Sequence, residues 1–174
     1  MRETAVAARL LPVQPKYLRA LIESADALES IAGLRVAEGI REFMSMASPE
    51  YLQRLAVAEE ADPWVWGYAI VHPEENLWIG SAGFKGMPDA NGCVEIAYGV
   101  APAYRGRGYA TDAARALVEQ AFADPRVVTV CAHTLPEPNA STRVLAKCGL
   151  VKIGEVVVPE DGLVWRWERR RTVA

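Results

Sequence analysis

The stretch V-A-P-A-Y-R-G-R-G-Y-A-T-D-A-A, residues 100–114, sets two arginines and two glycines between a strand-like run and an alanine-rich helix. Before it, G-C-V-E-I-A-Y-G-V (92–100) is apolar and rich in β-branched and aromatic residues, as a strand requires. After it, Ala110, Ala113, Ala114, Leu117, Val118 and Ala121 recur at helical spacing until Asp124-Pro125 stops them. Two close glycines in such a place suit a turn, an RNA-binding RGG-like patch, or a loop that closes its N–H groups on a phosphate. A helix start carries unpaired N–H groups and the positive end of the helix dipole. Gly106 and Gly108 leave room there, and Arg105 and Arg107 add charge. The loop is no Walker sequence, lacking G-K-[ST], and no G-x-G-x-x-G, because position 111 is threonine. Physics alone favours a diphosphate at this helix start over a bare turn.

Working outward, residues 5–11 read as a first strand ended by Pro12. Pro15 opens a helix with Tyr17, Leu18, Leu21, Ile22, Ala25 and Leu28 on one face. Ser48-Pro49-Glu50 is a cap, a first-turn proline and a first-turn acid, predicting a second helix that ends near Asp62-Pro63. Residues 30–47 between them read as partly helical. Val65–Val71 and Leu77–Phe84 are strand runs ahead of 92–100, and Val127–Ala132 is a buried strand after the central helix. Asn139 starts a last helix with Val144, Leu145 and Cys148 inward and Gly149 as its stop. Val151–Val158 and Gly162–Glu168 close the chain as strands, and alternation in the second gives it one buried face. The sum is an α/β single domain.

The chain has 174 residues, enough for one domain with a real core. Its net charge of −3 argues against a general nucleic-acid binder, and the basic R-W-E-R-R-R at 166–171 reads as solvated. Three separated cysteines and two histidines show no zinc spacing, so no metal is expected, and reduced thiols fit a cytoplasmic protein. Arg9 and Pro12 interrupt the N-terminal apolar run, excluding a signal peptide, and no run approaches the length of a membrane span. No membrane or nucleic-acid partner is therefore expected.

A second constellation, H-T-L-P-E-P-N-A-S-T-R-V-L-A-K-C-G-L (133–150), reads by itself as a helix cap on Asn139. Taken together, V-E-I-A-Y-G-V-A-P-A-Y-R-G-R-G-Y-A-T-D-A-A and this later stretch resemble the GNAT superfamily of acetyl-CoA-dependent N-acetyltransferases. The likeness is greatest to the ribosomal-protein N-terminal acetyltransferases of the RimJ/RimL type. It covers roughly residues 64–168, and the N-terminal strand and helices also fit. It implies a mixed, mostly antiparallel sheet of about seven strands, splayed between the fourth (92–100) and fifth (127–132) and flanked by about four helices. It also implies an acetyl-CoA-binding core over 92–150 and a variable acceptor-side segment over 13–62 of the single domain 1–174.

By this resemblance, the family's pyrophosphate loop falls on Arg105, Gly106, Arg107, Gly108, Tyr109 and Ala110, with Thr111 behind it. Acetyl-pantetheine is expected against the backbone near Tyr98 and Val100, with Asn139 touching its arm. The reaction implied is direct attack of an amine on the thioester through a tetrahedral oxyanion held by a backbone N–H. Glu95 is the expected base, through water, weighed against a solvated strand residue, and Ser141 the expected general acid, weighed against a structural helix-start serine. Alternation sets Glu95 and Tyr98 on opposite faces of their strand unless a bulge intervenes. His133 reads first as a hydrogen-bonded histidine and second as a base. The tryptophans Trp64, Trp66 and Trp78 read as core or as acceptor pocket.

The chain departs from the branch at several positions, with Ala146-Lys147-Cys148 where Glu-Lys is common before Gly-Phe. Leu150 stands where phenylalanine is common, and Gly99 stands where a bulky residue is usual, which widens the acceptor side or relieves packing. The acceptor is a protein N-terminus or a small amine. Glu38, Glu42, Glu50, Glu59, Glu60 and Asp62 are available to make its pocket acidic, against the plainer reading of solvated helices. A homodimer is open, and a CoA-binding module without strong catalysis is the alternative function.

Overall fold

The structure is a computed structural model and describes residues 7–173. The chain runs β1 (Arg9–Pro12), α1 (Pro15–Glu23), α2 (Ala25–Ala32), β2 (Arg35–Val36), α3 (Ile40–Met44), α4 (Pro49–Val57) and α5 (Pro63–Trp66). It continues β3 (Tyr68–His72), β4 (Leu77–Phe84), β5 (Cys93–Val100), a 3-10 turn at Pro102–Tyr104, α6 (Tyr109–Ala123), β6 (Thr129–Thr134), α7 (Ala140–Lys147), β7 (Val151–Val158) and β8 (Gly162–Arg170). Part of the first predicted strand, residues 5 and 6, lies outside the described residues.

The predicted α/β fold holds, with eight strands in the order β1-β3-β4-β5-β6-β8-β7 and β2 beside β4. All neighbours are antiparallel except β5–β6 and β2–β4. The helix count is the main correction: seven rather than about four among the described residues. The helix predicted over residues 15–28 breaks at Ser24, whose extended backbone and hydroxyl cap α2 by accepting from Ala27 N–H at 3.0 Å. Asp62-Pro63, read as a stop, is instead a start. Asp62 accepts from Trp64 N–H at 3.0 Å with proline at the first helical position, so Val65 and Trp66 belong to α5 and not to a strand.

Two cores sandwich the sheet. On one face α6 buries Ala113, Ala114, Leu117, Val118 and Ala121, the predicted stripe, together with Ile79, Val94, Ile96 and Leu145. On the other, Leu18, Leu21, Leu28 and Leu55 from the N-terminal helices cover Ala69, Val71 and Trp78. Each fully buried leucine, isoleucine or valine among these stabilises the fold by roughly 1.5–3 kcal/mol. In β8 the burial is less regular than alternation predicts: Val164 and Trp167 are buried while Leu163 is 47 % exposed.

β5 and β6 pair only over Cys93–Glu95 against Thr129–Cys131. Beyond Glu95, β5 is held by β4 alone, through an unbroken register from Phe84↔Ile96 to Gly80↔Val100. The two strands therefore part at the middle of the sheet, at the place predicted.

Candidate functional site

The loop Arg105–Gly108 opens beside that parting. Gly106 and Gly108 have φ of +75° and +88°, the left-handed region in which a Cβ is strained. A Cβ at either would meet nothing within 4 Å, so the protein packs no atom into the hollow above them. Gly108 ends the loop as the N-cap of α6 and no side chain caps it, so the first N–H groups of this 15-residue helix have no side-chain acceptor. Arg107 lies 5.3 Å from the Tyr104 ring, and Arg105 turns back to donate its Nε–H to Val100 O at 3.0 Å. The loop leaves open space and helix-start N–H groups side by side, the chemistry that suits an anion. Tyr109 contributes backbone there, because its ring is buried 5.7 Å from that of His72. Ala110 and Thr111 follow in the same first turn.

The parting itself is lined by backbone. Lys85 N–H donates to Glu95 O and Ala101 N–H to Ile79 O, so the odd-numbered residues of β5 aim their peptide groups at β4. By the two-residue alternation of a strand, Ile96, Tyr98 and Val100 aim theirs at the gap. The Val100 carbonyl already accepts from Arg105, leaving its N–H to the gap.

Asn139 does what the simpler reading required. Its side-chain oxygen accepts from Thr142 N–H at 3.0 Å while Thr142 Oγ1 accepts from Asn139 N–H at 3.0 Å, a reciprocal cap on α7. That arrangement leaves the amide NH2 group of Asn139 for a ligand. Within the first turn, Ser141 Oγ lies 3.0 Å from the Tyr98 hydroxyl. Burial, ahead of every other influence, pushes the Tyr98 phenol up to about 12, so it keeps its proton at neutral pH.

Glu95 and Tyr98 do face opposite ways, because the β4–β5 register has no bulge. The irregularity lies instead between β3 and β4, near Ile70 and Val71. Glu95 Oε1 is 2.9 Å from His133 Nδ1 and 3.1 Å from Lys85 Nζ. Burial pushes the Glu95 carboxyl up, but the hydrogen bonds and charges of His133 and Lys85 together outweigh it and hold it below the usual carboxylate range. His133 Nε2 is buried without a hydrogen-bond partner. The structure matches the first reading of His133, a histidine hydrogen-bonded through Nδ1.

On the Glu95 face of β5 lies a cavity of about 540 Å³, reaching from α3, α4 and α5 to Ala97, Gly99 and Arg105. Of the three tryptophans considered, Trp66 and Trp78 line it, while Trp64 packs its ring 4.4 Å from that of Phe84.

A sequence model of the acetyltransferase (GNAT) domain matches residues 17–151. The chain belongs to the GNAT family. The uncharacterized N-acetyltransferase YjdG of Bacillus subtilis (strain 168) is 30% identical to this GNAT chain over 90 residues, 52% of the chain and 51% of YjdG. The chain thus matches about half the length of that curated relative. Among solved structures, AAC(6′)-Ib in complex with ribostamycin and coenzyme A shares the fold at TM-score 0.63 and 22% identity, covering 95% of this chain and 94% of that one. A ribosomal-protein-S5-alanine acetyltransferase from Vibrio fischeri does so at TM-score 0.62 and 14% identity, covering 95% and 93%.

Sequence reading missed several parts of this GNAT site. Lys85 carried no motif; only its place beyond the end of β4, beside Glu95, could have flagged it. Phe43, Met44 and Tyr51 come from the ambiguous 30–47 segment and from α4, and converge only through packing. Among the described residues no three His, Cys, Asp or Glu side chains gather as a metal site, and no helix is long and apolar enough to cross a membrane.

Proposed function

We propose that this GNAT domain transfers the acetyl group of acetyl-CoA to a primary amine, either a protein N-terminus or a small-molecule amine. One observation carries the reading: the glycine cradle at α6, the backbone-lined parting of β5 from β6, and the cavity all meet at the end of β5. When bound, acetyl-CoA supplies an activated thioester. The N–H groups at the α6 start, with Arg105 and Arg107, hold its pyrophosphate, and the Asn139 amide binds along the pantetheine arm. The gap-facing N–H groups of Tyr98 and Val100 place the acetyl group and stabilise negative charge on its oxygen.

Glu95 acts as base and takes the proton of the amine through water, while His133 Nδ1, 2.9 Å from Glu95 Oε1, positions the carboxylate. On the opposite face, Tyr98 and Ser141 hold an exchangeable proton for the leaving sulfur. The motif likeness to the RimJ/RimL branch supports a peptide N-terminus as one acceptor source. Three unpaired cysteines, two of them buried, fit a reducing cytoplasm.

The test is CoA release on mixing protein, acetyl-CoA and a panel of peptide N-termini and small amines. Turnover on any member is expected. Tight acetyl-CoA binding with no turnover on any of them defeats the reading in favour of a CoA-binding module.

A further inference from the structure

The cavity on the Glu95 face of β5 differs from what a cationic acceptor needs. Among the described residues lining it, the single charged side chain is Arg105, a cation already engaged with Val100 O. Glu38, Glu42, Glu50, Glu59, Glu60 and Asp62, the acids within reach of this segment, are all exposed and none lines the cavity. The walls are instead Phe43, Met44, Tyr51, Trp66, Trp78 and Phe84. Trp66 meets Tyr51 edge to face with ring centroids 5.5 Å apart. The indole N–H of Trp78 is spent on Gly80 O at 2.8 Å, so it presents only hydrocarbon. At the rim Phe43 stands 66 % exposed, an apolar surface with no internal partner to justify its exposure.

An ammonium entering such walls loses water and gains aromatic faces and, outside the lining, the one carboxylate of Glu95, so each further charge is desolvated with no carboxylate of its own. A single amine on an apolar body meets the opposite balance: its body is buried against aromatic faces, and desolvation favours the neutral, nucleophilic form. The cavity volume lies within the range of small-ligand sites. Gly99 lines the cavity, and its missing side chain opens onto empty space, since a Cβ built there meets no atom within 4 Å. The glycine that departs from the branch pattern is therefore not relieving a packing clash.

Resting on the acetyltransferase reading above, we infer that the acceptor is a primary amine borne on an uncharged apolar or aromatic body, and that Gly99 sets the size of that body. Two sources share this chemistry: a free arylalkylamine, and a peptide N-terminus with a bulky apolar first residue.

The experiment measures binding by calorimetry in the presence of CoA, and turnover with acetyl-CoA, for 2-phenylethylamine, the peptides Phe-Ala-Ala and Ala-Ala-Ala, spermidine and kanamycin. The expected result is preference for 2-phenylethylamine or Phe-Ala-Ala over the polycations by at least about tenfold, with the better of the two naming the source. Gly99→Phe is expected to weaken the larger acceptor by about tenfold or more and to spare propylamine by comparison; Gly99→Val carries the same test if the first variant folds poorly. Apolar amines that bind but are not acetylated leave this inference standing and defeat the acetyltransferase reading. Better turnover of spermidine or kanamycin, or insensitivity of 2-phenylethylamine to both Gly99 variants, overturns the inference while that reading stands. Failure of every amine to bind or turn over overturns both.

Discussion

Glu95 Oε1 accepts from both His133 Nδ1, at 2.9 Å, and Lys85 Nζ, at 3.1 Å, so one oxygen joins β5, β6 and the end of β4 at the point where the sheet divides. The same contact ties stability to the proposed proton transfer. Because the folded carboxyl is held below its unfolded value, the stability it contributes is present above the ordinary carboxylate range and is lost as pH falls through the lowered value. Urea midpoints of wild type and Glu95→Gln should differ at about pH 6 and converge as pH falls through that lowered value. At neutral pH, Glu95→Gln and His133→Gln should each lower kcat by about a hundredfold or more with little change in CoA affinity. Equal kcat in the variants would remove the pair from the reaction.

Asn139 has two duties that one substitution can separate. Asn139→Asp keeps the oxygen that caps α7 and removes the NH2 donor, so its melting temperature should stay near wild type while CoA affinity falls. Asn139→Ala should lose both, with about 1 kcal/mol of stability gone. CoA binding by Asn139→Ala as tight as in wild type would show that the residue is a cap alone.

Gly108 sits at φ +88° at the uncapped start of α6. Gly108→Ala should cost roughly 1 kcal/mol in strain. It should also weaken CoA binding by about tenfold or more, because the new methyl group occupies the hollow a phosphate would enter. Calorimetric titration with CoA gives the second effect directly. A loss of stability without a loss of affinity would mark the loop as a turn.

Tyr98 and Ser141 are tested as a pair. Tyr98→Phe and Ser141→Ala each break the 3.0 Å contact, and each should lower kcat by about tenfold to a hundredfold while leaving CoA affinity within a few-fold. If the two form one proton path, the double variant should be little worse than either single one. Additive losses would mean that they act separately.

Much of this protein was legible in its residues, because the signals are local. R-G-R-G followed by an alanine stripe demands a tight left-handed loop and a buried helix, and α6 buries that stripe. Asn139 reads as a cap wherever its helix lies, and the period of β5 places Glu95 opposite Tyr98 without reference to any neighbour. Local signals also misled where two elements share one punctuation mark. Ser24 and Asp62 each begin a helix at a point read as interior or end, because a capping side chain looks the same from either side until the turn that follows is known.

What only the tertiary structure decided are the meetings of distant segments. His133 reaches Glu95 across 38 residues because β6 lies parallel to β5 in a register no local pattern encodes. The character of the cavity depends on where α3, α4 and α5 pack. Six acidic residues in the same part of the sequence could have lined it, and packing left all of them in solvent and set Tyr51, Trp66 and Trp78 along its walls. The sequence by itself determined the left-handed glycine loop and the uncapped helix start after it, since both are set by local residues. The walls that would select an amine were decided by folding, since side chains far apart in the chain form a surface only once the core has brought them together.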